Sequence, residues 1–237
     1  MDALQTLKKW VDESNRIVFF GGAGVSTESG ISDFRGVDGL YHQKFEYPPE
    51  TIISHSFYHS RPEYFFRFYR EKMMPIGFEP NVTHYKLAQW EQEGKLLAVI
   101  TQNIDGLHQK AGSKKVYELH GSIYRNYCTS CGKFHSAEFV KEHPGVPRCT
   151  CGGMVKPDVV LYDEQLNGKT IEGSISAIEQ ADLLIVAGTS LTVYPAASFI
   201  RYFQGKHMVL INRDATPYDH VADLVMNCSL GEVFTNI

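Results

Sequence analysis

The chain has 237 residues, 43% hydrophobic and 21% charged, with a formal net charge of −4. This length and balance describe one α/β domain, or a main domain carrying a smaller insert, and exclude wholesale disorder. Mild acidity without a long Lys/Arg run argues against a nucleic-acid groove, and no apolar window is long enough to span a bilayer. Direct nucleic-acid or membrane partners are therefore not expected, whereas lysine-rich protein segments are weakly favoured by long-range attraction.

The first sixteen residues, MDALQTLKKWVDESNR, read as an amphipathic helix without the apolar core or cleavage site of a secretory signal. A cytoplasmic location follows as the expectation, and thiols there stay reduced. The first strand is RIVFF (16–20), which runs directly into GGAGVSTESGISDFRG (21–36). A strand entering a Gly-Ala-Gly turn lets backbone amides approach a pyrophosphate. Thr27 stands where a dinucleotide fingerprint has its third glycine, so on the glycines alone a tight turn without ligand is equally admissible. The tail adds Ser26, Thr27, Ser29 and Ser32, then Asp33, Phe34 and Arg35: hydroxyls, an acid, an aromatic and a guanidinium, suited to a flat phosphorylated ligand.

Residues 36–80 hold no convincing strand but many aromatics, Pro48–Pro49 and a helical RPEYFFRFYREKMM. Asn81 and Thr83 are candidate caps for the helix VTHYKLAQWEQE, which stops at Gly94. LLAVITQN (96–103) and VYELH (116–120) read as buried strands whose carboxyl ends carry Gln102, Asn103, Ile104, Asp105 and His120. Polar groups at such ends line a ligand crevice in an open α/β sheet, although Asn103 and Asp105 are also good turn caps. One histidine among ten gains nothing from position alone; the other histidines read as structural or surface groups.

Residues 121–156 are turn-rich and hold Cys128-x-x-Cys131 and Cys149-Thr150-Cys151. Four thiols in two close pairs in a reducing compartment predict a structural tetrahedral zinc with no open coordination position. It would stabilise an insert too small for its own core. DVVLY (158–162), DLLIVAG (182–188) and HMVLIN (207–212) complete the strands, and Pro195 opens the helix PAASFIRYFQ, which stops at Gly205. Alternating strands and helices predict a Rossmann-like parallel sheet in residues 1–35, 81–120 and 157–237. A helical insert (36–80) and a zinc-ribbon insert (121–156) would form the smaller domain, with a cleft between.

GAGVSTESGISDFRG, TQNIDGLHQKAG (101–112) and ELHG (118–121) together resemble, in order and spacing, the signatures of the sirtuins, in their short bacterial-type catalytic core. The resemblance extends from about residue 10 to the C-terminus. It implies an NAD-dependent protein lysine deacylase, with NAD as co-substrate and acetylated proteins or peptides as partners. On this resemblance Asp105 and Ile104 hold the nicotinamide carboxamide, and Asn103 positions the ribose and its water. The acyl oxygen of the substrate lysine attacks the anomeric carbon, and His120 is the general base on the ribose. Phe34 shields the reactive carbon, Arg35 lies near the phosphates, and Ala23, Thr27, Asp33 and Gln102 belong to the same cofactor site. Thr189, Ser190 and Asn212 match positions holding the adenosine ribose and phosphates, with Leu230 near the adenine. KPDVVLYDE resembles the segment that pairs with an extended substrate peptide, placing Val160 and Tyr162 beside the acyl-lysine channel. This chain has Asp163 where the family usually has glycine, and a C-x-C pair where the family more often has C-x-x-C.

Sirtuins that prefer acidic acyl chains carry Tyr-x-x-Arg in the helical insert. Here Tyr69-Arg70-Glu71-Lys72 ends in lysine, which lacks the bidentate fork, so acetyl or another neutral acyl is expected over succinyl. The competing readings are a mono-ADP-ribosyltransferase and a non-catalytic binder of ADP-ribose or acylated peptide.

Overall fold

The computed structural model describes residues 2–34 and 39–237, apart from the side chain of His42. The apolar runs become a parallel sheet of β1 (Ile17–Gly21), β2 (Leu96–Thr101), β3 (Val116–Glu118), β7 (Leu183–Ala187), β8 (His207–Ile211) and β9 (Leu224–Met226), in the order β3-β2-β1-β7-β8-β9. Strands β1 and β7 are buried at every position because helices cover both faces, which is why they read as continuous apolar runs. One layer beneath the sheet packs Phe19, Leu87, Trp90 and Phe234, and the other packs Phe20, Ile178, Phe199 and Ile200.

A second sheet is antiparallel, in the order β5-β4-β6, from β4 (Gly121–Cys128), β5 (Phe134–His135) and β6 (Val155–Val159). It shares one apolar cluster with the aromatic helices His55–Ser60 and Pro62–Phe68, in which Ile123 and Val155 of the sheet and Val140 of the helix Ala137–Glu142 join Phe65, Phe66 and the following Tyr69. Arg70 reaches across this contact. Its Nε donates to the Val140 carbonyl at 2.8 Å, its guanidinium also donates to the Gly145 carbonyl, and Lys141 donates to the Arg70 carbonyl at 3.0 Å. The two stretches that interrupt the strand–helix rhythm thus pack on each other.

Several elements differ from the sequence expectation. DVVLY does not form a strand of the parallel sheet: β6 begins at Val155, ends at Val159 and pairs with β4, so residue 157 lies inside the small sheet. Strand β2 ends at Thr101, because the Gln102 amide turns to the Gly21 carbonyl (2.9 Å) and the Asn103 amide to the Thr101 hydroxyl (3.0 Å). PAASFIRYFQ is a 3₁₀ helix over Ala196–Tyr202. The helix after Asn81 is as expected, Val82–Gln92, with the Asn81 side chain accepting from the Thr83 amide at 3.0 Å. No helix among the described residues is long and apolar enough to cross a membrane.

Candidate active site and metal centre

Strand β1 is central, with β2 on one side and β7 on the other, so the connections leaving their carboxyl ends diverge and open a crevice there. The glycine loop is drawn against the turn after β7: Gly22 and Gly24 donate to the carbonyls of Ala187 (3.3 Å) and Gly188 (2.8 Å). A Cβ on Gly24 would stand 2.7 Å from the Gly188 Cα, so this approach requires glycine. Above it lies a cavity of about 420 Å³, lined by both sheets' connecting segments.

Ser26, Asn103 and Asp105 form one buried network on the cavity wall. The Ser26 hydroxyl donates to Asp105 Oδ2 at 2.6 Å and accepts from Asn103 Nδ2 at 3.0 Å, while the Leu107 amide donates to Asp105 Oδ1 at 2.9 Å. Burial pushes the Asp105 carboxyl up, opposed by the donors from Ser26 and Leu107. Sequence reasoning noted Ser26 only as one hydroxyl among several. That it joins the loop after β1 to the end of β2 is a long-range contact with no local signature. Gln102 sits at the same strand end, where its Nε2 donates to the Thr189 hydroxyl at 2.9 Å and ties β2 to β7 across the cavity floor.

His120 occupies the junction between the sheets, two residues after β3 and immediately before β4. Its Nδ1 lies 3.0 Å from the Gln102 carbonyl, which can only accept. Nδ1 therefore carries the proton, and Nε2 keeps a free lone pair. Burial lowers the imidazole pKa below its ordinary value, opposed by the Gln102 carbonyl, so the ring is neutral at pH 7. The Val160 amide donates to the His120 carbonyl at 3.0 Å, and a Cβ on Gly121 would fall 1.8 Å from the Asp158 carbonyl oxygen. The base is held from both sides.

Ala23, Asp33, Phe34, Gln102, Asn103, Ile104, Asp105, Thr189, Ser190, Asn212, Val160 and Tyr162 all line the cavity. Phe34 packs edge-on against Tyr41 (5.8 Å between centroids), whose hydroxyl lies 3.0 Å from that of Tyr162. Of the other two expected cofactor contacts, Thr27 donates its hydroxyl to the Gly24 carbonyl at 3.0 Å. Leu230 opens the terminal helix Leu230–Asn236 and packs into the core beneath the sheet with Trp90 and Phe234, because an apolar side chain on that helix's inner face is buried. Arg35 lies outside the described residues.

At the far end of β4, the four cysteines converge, and their sulfurs all lie within 4.8 Å of one another. Cys128 and Cys151 are 3.4 Å apart, Cys131 and Cys149 3.7 Å, and Cys131 and Cys151 3.5 Å, with every thiol free. A tetrahedral zinc with bonds of about 2.3 Å separates its sulfurs by roughly 3.8 Å, so the donor set fits. The C-x-C pair reaches this geometry because the Cys149 amide donates to the Gly153 carbonyl (2.8 Å) and Gly152 takes a left-handed φ of 86°. The Cys131 amide holds the Cys128 thiol down to about 6 and the Cys151 amide holds Cys149 down to about 7, which favours thiolates at these two, whereas Cys131, held by the Lys133 amide, is raised by the neighbouring Cys151 and Cys128 sulfurs. One structural zinc, with four protein ligands, fits this centre.

The sequence profile of the Sir2 family matches residues 22–195. The chain belongs to that family. An NAD-dependent protein deacetylase from Clostridium acetobutylicum is 58% identical over all of this chain and 98% of its own length. A solved Sir2 structure with a deacetylated peptide and an O-acetyl ADP-ribose superposes with a TM-score of 0.91 at 38% identity, covering 99% of this chain and 97% of that one. Another, of a Sir2 protein with a peptide and NAD+, gives 0.87 at 38% identity, covering 99% and 96%. The Sir2-family chain thus brings residues of all three motifs, Ala23, Asn103, Asp105 and His120 among them, to the same cavity.

Proposed function

We propose that this Sir2-family chain is an NAD-dependent protein lysine deacetylase that transfers the acyl group of acyl-lysine to ADP-ribose and releases nicotinamide. The observation that carries the reading is the His120 ring, fixed at Nδ1 by the Gln102 carbonyl and neutral, beside the Asn103–Ser26–Asp105 network. A site that only binds needs no such base. NAD, when bound, supplies an anomeric carbon that becomes electrophilic as nicotinamide leaves. Asp105 and Ile104 hold the carboxamide, and Asn103 positions the ribose. Ala23, Thr27, Asp33, Arg35, Gln102, Thr189, Ser190 and Asn212 hold the remainder of the dinucleotide, with Leu230 near the adenine. Phe34 keeps water from the reacting carbon, and His120 Nε2 accepts the ribose hydroxyl proton.

The substrate is an acetylated lysine in a protein or peptide, entering between Val160 and Tyr162. Lys72 lies on the cavity wall, its Nζ donating to Gln43 Oε1 at 3.0 Å, and supports a neutral acyl group over succinyl. The division into a Rossmann-like unit (1–35, 81–120, 157–237) and two inserts (36–80, 121–156), with residues 157–159 pairing into the small sheet, is part of this reading, as is a cytoplasmic location suited to metal-binding thiols. One mass-spectrometric assay with acetyl-peptide and NAD tests it. Deacetylated peptide with acyl-ADP-ribose supports the reading. ADP-ribosylated protein would turn it into a mono-ADP-ribosyltransferase, and unchanged reactants into a binding module.

A further inference from the structure

Two non-glycine residues in the described chain have left-handed backbone, Asp163 (φ 73°) and Leu191 (φ 53°), and Asp163 lines the active-site cavity. Glycine takes this conformation without a Cβ penalty, and aspartate is among the few residues with a side chain that tolerate it. A side chain kept at such a position on a cavity wall is a candidate for work there.

Two adjacent acids end this segment, and they are used differently. The Glu164 carboxylate is consumed internally: Oε1 pairs with His55 Nδ1 at 2.8 Å, and Oε2 accepts from Lys156 Nζ (3.0 Å) and the Leu161 amide (2.9 Å). It closes the turn. Asp163 is exposed, and among the described residues no donor engages its carboxylate.

The cavity has two sides. The glycine loop, Thr189, Ser190 and Asn212 form one, and Ile53, Lys72 and residues 159–164 form the other. With the dinucleotide on the first side, an acyl-lysine reaching His120 enters along the second and leaves its own backbone at the exposed rim. Among the exposed charges of the described residues on that rim, Lys72 is drawn back onto Gln43 (3.0 Å) and over the Phe45 ring (5.8 Å), so Asp163 meets the residues flanking the lysine.

We propose that Asp163 is a specificity residue, selecting acetyl-lysine sites with arginine or lysine beside the modified residue. This rests on the deacetylase reading of the cavity. The test uses three acetyl-lysine peptides that differ only in the flanking residues: arginine, alanine or glutamate. Dissociation constants by fluorescence anisotropy and kcat/KM with NAD are measured for the wild type and for Asp163→Asn, which retains a residue tolerant of left-handed backbone. The arginine peptide is expected to lead the glutamate peptide by about two- to five-fold in both quantities, as an exposed ion pair allows. The ratio should collapse towards one in Asp163→Asn and in high salt. An equal ratio in wild type and Asp163→Asn overturns the proposal while turnover leaves the deacetylase reading standing. Peptides that bind with the expected ratio but are never deacetylated sink that reading and leave Asp163 supported. Binding of none of the three overturns both.

Discussion

The two sheets of this molecule are stabilised in opposite ways. The parallel sheet holds itself: β1 and β7 are buried end to end between two apolar layers, and its stability follows from the area removed from water. The small antiparallel sheet has three strands, one of them two residues long, with Tyr127 and Phe134 exposed on its outer face. It depends on the cysteine cluster at one end and on the aromatic helices packed against its other face. The lesson is where the chemistry sits. His120 is the link from β3 to β4, and Val160 and Tyr162 lie where the chain leaves β6. A cavity built on such links can have one rigid wall and one wall tuned by a metal.

The sharpest break in that comparison is His120→Ala, which removes chemistry and leaves both sheets. The rate with acetyl-peptide and NAD should fall by about 10²- to 10⁴-fold with an unchanged circular-dichroism spectrum. Retained activity would show that His120 is not the base. Next comes the metal. Zinc stripped by a strong chelator, or Cys128→Ser, should unfold the small sheet first, giving a separate low-temperature melting step and loss of peptide binding. A single unshifted transition would show the small sheet to be self-sufficient.

Acid should attack the other wall. His84 and His108 lie under the parallel sheet, ring centroids 4.7 Å apart; burial lowers His84 to about 4 and His108 well below its ordinary value, with His84 adding to the latter. In the unfolded chain both bind protons near pH 6.5. Between about pH 6.5 and 4 the unfolded state therefore holds more protons. Their stabilising contribution is full above 6.5 and is lost as pH falls, by roughly 3 kcal/mol for His84 alone. Denaturant titrations of wild type and His84→Gln across that range should show the slope shrink in the variant.

Ser26→Ala should cost about 1–3 kcal/mol by removing the hydroxyl donor from Asp105 Oδ2, and raise KM for NAD more than it lowers kcat. The smallest effect is at Lys72. Lys72→Arg should move the succinyl-to-acetyl rate ratio upward by about two- to five-fold, with acetyl still preferred. A wild-type preference for succinyl would sink the neutral-acyl reading.

Much of the site was legible because it is local. Gly24 lies next to the strand it follows, Asn103 and Asp105 sit at the end of one apolar run, and His120 ends another; position made them candidates, and the resemblance of the three motifs singled them out. Ser26 was legible only as a polar loop residue, since its partners are 77 and 79 positions away. Thr27 and Leu230 are harder to read for the converse reason. A loop hydroxyl has the same sequence appearance whether it faces a ligand or its own backbone, and the first residue of a short helix shows no face until the helix is docked.

The sequence by itself determined the alternation of strands and helices, the grouping of four cysteines and the motifs at strand ends, because hydrophobic period and ligand spacing are properties of short windows. Only the tertiary structure decided that β6 belongs to the small sheet, that His120 donates from Nδ1 and keeps Nε2 for the cavity, and that Asp163 rather than Glu164 has a carboxylate to spare. Each of these depends on which distant group fills a hydrogen-bonding position, and that is settled when the two sheets close on one another.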